Sequence, residues 1–532
     1  MNLAEPLHRW AREAPDHPAI LFEGRTLTYA ELDAAAGRLA HALRSHGVGA
    51  GDRVALYLPN VPEFAIAYYA AQRLGAITVS INAIFKSAEV EHLLVDSGAC
   101  VVFTLAEIVG FVPRERCPAL RQVVVCDGRV TDPTVTDPTV TDPTVTLPAT
   151  GGGVARLDAL ADWLAAVPHD AGALAPVERR AQDPAALLYS SGTTGFPKGV
   201  TLTQHNIDSN VATAAAASGY RRDDRLALFL PLFHVYGQNY ILNAALRAGA
   251  TVVMFRRFVP ETVLESIARD RITMFFGVPT IFIGLLGADL SRWDLSSIRY
   301  EMSAASTMPE AISRRWAERF GRRVYEGYGL TECSPFACYN DAVEHRFGSV
   351  GRAVEGFEVA IHDDQGRELP RGEWGEIVIR GPGVMAGYWN RPQETADALR
   401  GGWLHSGDIG RMDDDGYVYI VDRVKDMINV SGFKVWPAEV EQYLYRMPQI
   451  HECAVYGIPD PAKGEQVAVA AVARPGTGLT GEQVIAYCRD NLAAYKVPVR
   501  VDIVDELPKS ATGKLLKRVL REQSAPQDPR TP

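Results

Sequence analysis

The chain predicts an α/β protein: a large N-terminal domain of two αβ subdomains and a small β subdomain, then a small α+β C-terminal domain. Three observations carry that expectation. Strand-length apolar runs alternate with helix-length amphipathic runs from Thr28 to Leu330, the pattern of parallel sheets covered by helices. From Gly348 the texture changes to short strands punctuated by Gly, Pro and Asp. Beyond the charged turn Asp422 to Asp426 lies a further compact unit with its own strands and helices. At 532 residues the chain exceeds what one hydrophobic core can cover, so several units are required.

Taken in order, Thr28 with Glu31 three residues later forms a capping box, opening a helix that runs through Leu43. Arg53 to Leu58 reads as a strand, Pro62 to Leu74 as a helix and Ala76 to Ile81 as a strand. A second such unit follows, helix Ser87 to Ser97 and strand Cys100 to Thr104. Thr131 to Val145 is three copies of Thr-Asp-Pro-Thr-Val, whose prolines oppose both helix and sheet, so a surface loop is expected. After Asp183 come strand Arg225 to Leu230, helix Gln238 to Arg247, strand Thr251 to Phe255 and helix Pro260 to Asp270. Strands Met274 to Val278 and Ser297 to Ser303, with a helix around Thr280, complete a second sheet ahead of Val324 to Glu332. The expected divisions are 1–422, with a β-rich part from about 348, a turn at 423–426, a C-terminal unit at 427–523 and a polar tail at 524–532.

Composition narrows the function. Hydrophobic content of 47% with 22% charged residues is that of a globular protein, and a net charge of −10 leaves no basic stripe for nucleic acid. The seven cysteines are scattered without a C-x-x-C, so neither a disulfide framework nor a zinc site is expected, and a reducing cytoplasm fits. Met1 to Ile20 has no apolar h-region, so no signal peptide is expected. The apolar run Ile272 to Ala288 is broken by Gly277, Pro279, Gly284 and Gly287, short of a membrane span. Peripheral membrane contact stays open.

The richest chemistry is in Ser190-Ser191-Gly192-Thr193-Thr194-Gly195-Phe196-Pro197-Lys198-Gly199, which follows the buried strand Ala185 to Tyr189 and precedes a helix near Asn206. Inward N–H groups, small residues, hydroxyls and one lysine suit a phosphate. The Walker pattern fails, because Pro197 replaces its second glycine and Gly199 its Ser/Thr. A flexible glycine linker is the alternative, but linkers rarely combine these hydroxyls and a lysine between buried strands.

Six stretches then act together: Leu27 to Leu32, the phosphate stretch, Tyr328-Gly329-Leu330-Thr331-Glu332, Ser406-Gly407-Asp408, Arg423 to Asp426, and Pro508-Lys509-Ser510-Ala511-Thr512-Gly513-Lys514. In this order they resemble the adenylate-forming enzymes: acyl-CoA synthetases, adenylation domains and luciferase-like proteins. The resemblance covers nearly the whole chain. It implies that a carboxylate attacks ATP to give an acyl-adenylate and pyrophosphate, after which a thiol displaces AMP. The substrate is its own nucleophile, so the protein's task is positioning and charge neutralisation.

Residue by residue, the resemblance makes Glu332 the Mg2+ ligand, Thr331 an α-phosphate contact, Lys514 the ammonium at the bridging oxygens and Asp408 the ribose acid. Arg423 would approach from the other side, and Ala305, Glu326, Gly327 and Tyr328 would line the nucleotide. A hinge beside Lys425 would swing the small domain, presenting Lys514 first and the Gly432 region for the thiol second. Taken alone, Asp408 and Gly432 read as turn residues and Arg423 as a surface cation. His234 stands where amino-acid-activating relatives carry an aspartate, which argues against an amino acid; by itself it also reads as a core histidine. Tyr236, Gly237, Gly277, Ala304, Gly329 and Cys333 would wall the acyl pocket, with Gly329 leaving open a space that acetate-specific relatives close with tryptophan. The absence of a carrier motif favours free coenzyme A. The implied activity is an ATP-dependent carboxylic acid:CoA ligase for a medium- or long-chain fatty acid. An aryl acid, or loading of a separate carrier protein, is the alternative.

Overall fold

The computed structural model describes residues 1–131, 144–146, 155–168, 171, 174–190, 197–341, 343–423 and 426–524. Two large sheets dominate. The first has eight strands, with Ile77–Ser80, Arg53–Leu56, Val101–Thr104, Gln122–Val125 and Arg156–Ala159 in parallel. Ile77–Ser80 and Val101–Thr104 are buried along their whole length, as strands covered on both faces by helices must be. Full burial of each such valine, isoleucine or phenylalanine contributes about 1.5–3 kcal/mol.

The second sheet has nine strands, with Tyr325–Tyr328, Tyr300–Ser303, Met274–Gly277, Arg225–Leu228 and Thr251–Met254 at its centre. Its far edge is built from Pro18–Phe22 and Arg25–Thr28, an N-terminal hairpin that pairs in parallel with Thr251–Met254. Helix Tyr29–Ser45 starts from the capping box as expected: Glu31 N–H donates to Thr28 Oγ1 at 3.2 Å and Thr28 N–H to Glu31 Oε2 at 2.8 Å. A four-stranded antiparallel sheet, from Glu358–His362 to Val418–Arg423, follows the second sheet. The last sheet orders Phe433–Val435, Ile428–Val430, Gly464–Ala473 and Ile450–Asp460, with Arg500–Ile503 parallel to Gly464–Ala473.

Several expectations need correction. The helix expected near Asn206 is Gln204–Ala217, but the antiparallel pairing ahead of it was not read from the chain. Lys198–Thr203 returns antiparallel to Pro184–Ser190, with Ser190 opposite Lys198, and the helix Gln204–Ala217 begins only afterwards. The described ends of the stretch, Ser190 and Lys198, therefore belong to paired antiparallel strands of one sheet. The helix expected at Gln238 to Arg247 begins as a π-helix at Tyr236–Asn243 and closes as Ala244–Ala248. The ends of the Thr-Asp-Pro-Thr-Val repeat are not loop: Arg129–Thr131 pairs in parallel with Thr144–Thr146. Residues 132–143 and 525–532 lie outside the described residues, and with them most of the repeat and the expected tail. Helices Glu5–Glu13, Glu310–Phe320 and Lys517–Ser524 were not expected from the chain's pattern. Among the described residues no helix is long and apolar enough to cross a membrane.

The C-terminal sheet rests on two helices of the second sheet. Glu310 N–H, at the start of Glu310–Phe320, donates to Gln442 Oε1 at 3.1 Å. Thr280 Oγ1, at the start of Pro279–Gly287, donates to the Gly513 carbonyl at 3.2 Å.

Candidate active site

Strand ends supply most of the polar groups at the mouth between the two large sheets. Ser190 closes strand Pro184–Ser190, and its Oγ donates to Glu332 Oε1 at 2.9 Å. Glu332 belongs to the one-turn helix Thr331–Cys333 that follows strand Tyr325–Tyr328. A third segment completes the corner. Tyr388, in the edge strand Gly387–Tyr388, donates from its hydroxyl to the same Glu332 oxygen at 3.1 Å, and Met385 N–H donates to the Glu332 carbonyl at 2.8 Å. Glu332 is thus held by three elements far apart in the chain, with Thr331 in the same turn.

Asp408 lies on strand Leu404–Met412, is 5% exposed, and accepts the Tyr328 hydroxyl at 2.8 Å through Oδ2. Its backbone N–H is taken by Ser406 Oγ at 3.0 Å, which fixes the turn entering it. Arg423 stands opposite Asp408 in the ladder. Lys425, with Val424, lies outside the described residues, as do Ser191, Gly192, Thr193, Thr194, Gly195 and Phe196.

The most distant pair in sequence is brought together here. His234 follows strand Arg225–Leu228, and its Nδ1 accepts the Tyr236 N–H at 3.2 Å. Burial first, and then the Lys514 ammonium beside it, hold its pKa down to about 4, so the imidazole is neutral near pH 7. Lys514 reaches that position on a tight turn: its N–H donates to Ser510 Oγ at 3.1 Å, and its carbonyl accepts Ser510 N–H at 2.8 Å. Gly513 has φ +78°, and a side chain there would meet Val278 Cγ2 at 2.9 Å. The turn can approach strand Met274–Gly277 only because that residue is glycine.

Glu326 is 2% exposed on strand Tyr325–Tyr328, opposite Ser303. Desolvation raises its pKa well above the usual carboxyl range, against the Met308 N–H bonded to it, and Oε1 has no partner. Ala305, in the loop between, sits at φ +69°, which a side chain adopts at a cost of roughly 1–2 kcal/mol.

The glycines expected to wall the acyl pocket are closely packed. A Cβ on Gly329 would lie 1.5 Å from the Pro335 carbonyl oxygen, on Gly237 2.5 Å from the Pro231 oxygen, and on Gly277 2.9 Å from the Phe282 ring. All three are glycine because chain packs against chain there. Gly327 likewise faces Met302 and Phe336. Tyr236 is 4% exposed with its hydroxyl unpartnered, and Cys333 is fully buried with its sulfur bonded to Leu330 N–H and the Pro335 carbonyl. Ala304 begins the loop that carries Ala305. Gly432 tips the hairpin between Ile428–Val430 and Phe433–Val435, exposed at φ +88° with open space around it.

Sequence reasoning missed the segment Met385 to Ala398. It supplies Tyr388 to Glu332 and, through Glu394, a carboxylate to the Lys198 ammonium. No local pattern marks these side chains, because their partners lie 56 and 196 positions away.

Comparison with known proteins agrees with this geometry. A family model described as AMP-binding enzyme matches residues 7–389, and one described as AMP-binding enzyme C-terminal domain matches 439–514. The chain is 36% identical over 520 residues to a feruloyl-CoA synthase of Amycolatopsis sp., covering 97% of each. It is 35% identical over 527 residues to a long-chain-fatty-acid–CoA ligase of Bacillus subtilis, covering 96% of this chain and 93% of that one. A crystal structure of the anthranilate CoA ligase AuaEII with anthranoyl-AMP superposes with a TM-score of 0.88 at 29% identity, covering 99% of this chain and 97% of that one.

Proposed function

The chain belongs to the family of AMP-binding enzymes, and we propose that it is an ATP-dependent carboxylic acid:CoA ligase of the AMP-forming kind, acting on a medium- or long-chain fatty acid. One observation carries the reading: Lys514, from the C-terminal unit, stands beside His234 of the larger part, while Ser190 and Glu332 form a hydroxyl-and-acid pair between the two large sheets. An ammonium, a hydroxyl and a carboxylate are the groups that suit charge building on a nucleotide's α-phosphate.

In the first half the acid's carboxylate attacks the α-phosphorus, and the bond to pyrophosphate breaks. Lys514 neutralises the oxygens that gain charge, Asp408 accepts the ribose hydroxyls and Thr331 contacts the α-phosphate. Neutral His234 borders the acyl carboxylate without adding a charge of its own. In the second half the CoA thiol attacks the acyl carbon and AMP leaves, the C-terminal unit turning about Lys425 to bring Gly432 inward.

Mg2+ would be held by Glu332. Among the described residues no three His, Cys, Asp or Glu side chains converge, and a single carboxylate suits an ion that takes its other oxygens from phosphates and water. Its contribution when bound is neutralisation of phosphate charge.

The likeness to a feruloyl-CoA synthase and to an anthranilate ligase supports an aryl acid as the second reading. Acid-dependent AMP release, scored with CoA and with a carrier protein over alkyl and aryl acids, tests both. Release with no acid in the panel sinks the proposal, and release only with carrier removes CoA from it.

A further inference from the structure

Lys198 opens the returning strand of the phosphate hairpin, yet its ammonium is not free. It is bonded to the Glu394 carboxylate and lies 5.2 Å from the centroid of the Tyr388 ring, with its side chain 15% exposed. The pair is one end of a row of alternating charge. Arg391 Nη1 lies 3.6 Å from Glu394 Oε1, Arg391 Nη2 lies 3.3 Å from Asp96 Oδ1, and Asp96 accepts the Tyr189 hydroxyl at 2.7 Å. Tyr189 is the residue before Ser190, so the row closes back on the hairpin it started from.

The segment bearing Glu394 is fixed to that hairpin. Trp389 N–H donates to the Gly199 carbonyl at 2.7 Å, and Tyr388 N–H to Thr395 Oγ1 at 2.9 Å. A Cβ on Gly387 would strike Thr395 at 2.6 Å, so the strand packs closely on helix Pro392–Ala398. Glu394 is held below the usual carboxyl range, first by the Lys198 hydrogen bond and then by the neighbouring charges. Across the row two cations meet two carboxylates, and the Lys198 charge is cancelled where it stands.

We propose that Glu394 is a positioning residue that pairs with Lys198, so that ATP must displace this carboxylate before the lysine can serve its phosphates. The inference rests on the ligase reading above. A triphosphate offers several anionic oxygens against one carboxylate, so it wins the lysine but with reduced apparent affinity, as for any ligand whose competent state is only part of the population.

The test is ATP binding by calorimetry on the full chain with Mg2+ and no acid, alongside KM for ATP and kcat. Glu394→Gln keeps the shape and removes the competing charge. Its Kd and KM for ATP are expected to fall about three- to tenfold, as for loss of one partly exposed ion pair. Glu394→Asp, charged but drawn back, falls between it and the wild type. Lys198→Ala raises Kd, and adding Glu394→Gln to it changes nothing further. Glu394→Gln that binds ATP no tighter, or equally tighter without Lys198, overturns the role. A melting temperature within a few degrees of wild type shows that the change is not one of folding. Wild-type protein that binds no ATP overturns the ligase reading instead.

Discussion

Lys198 and Lys514 are held by the fold in opposite ways, one built into a sheet and one carried on a turn of the C-terminal unit. Lys198 is built in: it starts a strand of the first sheet, and its partner Glu394 is tied to the same strand through Gly199. Lys514 is delivered. Its turn belongs to the C-terminal unit and touches the larger part through Gly513, Thr280 and Val278. A built-in cation can be held ready and switched by local competition. A delivered one depends on the docking of its turn against Thr280 and Val278.

The most damaging way to probe this contrast is Lys514→Ala. Pyrophosphate exchange is expected to fall ~10²–10³-fold, the loss typical of one transition-state donor. Thioester formation from supplied acyl-adenylate should stay near wild type. Exchange at near full rate would remove Lys514 from the mechanism.

Next in size is Gly513→Ala. It carries a left-handed backbone penalty in any orientation and a contact with Val278 only in this one. Together these predict about a tenfold loss of adenylate formation, since 1–2 kcal/mol is roughly one decade. Adding Val278→Ala should recover part of it. No recovery would mean that the docked turn is not the productive one.

On the built-in side, Tyr388→Phe keeps the ring under Lys198 and deletes the hydroxyl on Glu332. Removing one hydrogen bond to a charged group predicts about a tenfold higher Mg2+ requirement. Kd for ATP measured at saturating Mg2+ should be unchanged. A Mg2+ titration of the rate that matches wild type would show that Tyr388 does not position Glu332.

The smallest effect concerns His234. Its folded pKa of about 4 lies below the ordinary 6.5, so its contribution to stability is complete above about pH 6.5 and is lost as pH falls towards 4. Its imidazole signals, followed by NMR, should therefore show no titration between pH 8 and about 5.5. In Lys514→Met the midpoint should rise without reaching the ordinary value, because desolvation is the larger cause. A midpoint unmoved by that change would separate the two residues.

Local signals were legible in the chain. Helix Ser87–Ser97 and helix Pro260–Asp270 fall where periodicity and the starting proline placed them, and Thr28–Glu31 caps as read. The hairpin after Ser190 was not legible, because the short apolar run Val200 to Leu202 serves strand or helix entry equally well. Nor was the N-terminal hairpin's place beside Thr251–Met254, a pairing across more than 230 residues. At Gly329 the chain announces only that a side chain is absent, and the packed chain tells that the Pro335 carbonyl lies beside it.

By itself, then, the amino-acid order determined the alternation of strands and helices, the family resemblance and the identities of the groups suited to phosphate chemistry. Those follow from periodicity, capping and residue type, all of which act within a few positions. The tertiary structure alone decided that Tyr388 and Ser190 share one oxygen of Glu332, that Glu394 neutralises Lys198, and that Lys514 stands beside His234. Contacts of that kind join residues 56 to 280 positions apart, and their energy depends on distance through space, which no local pattern encodes.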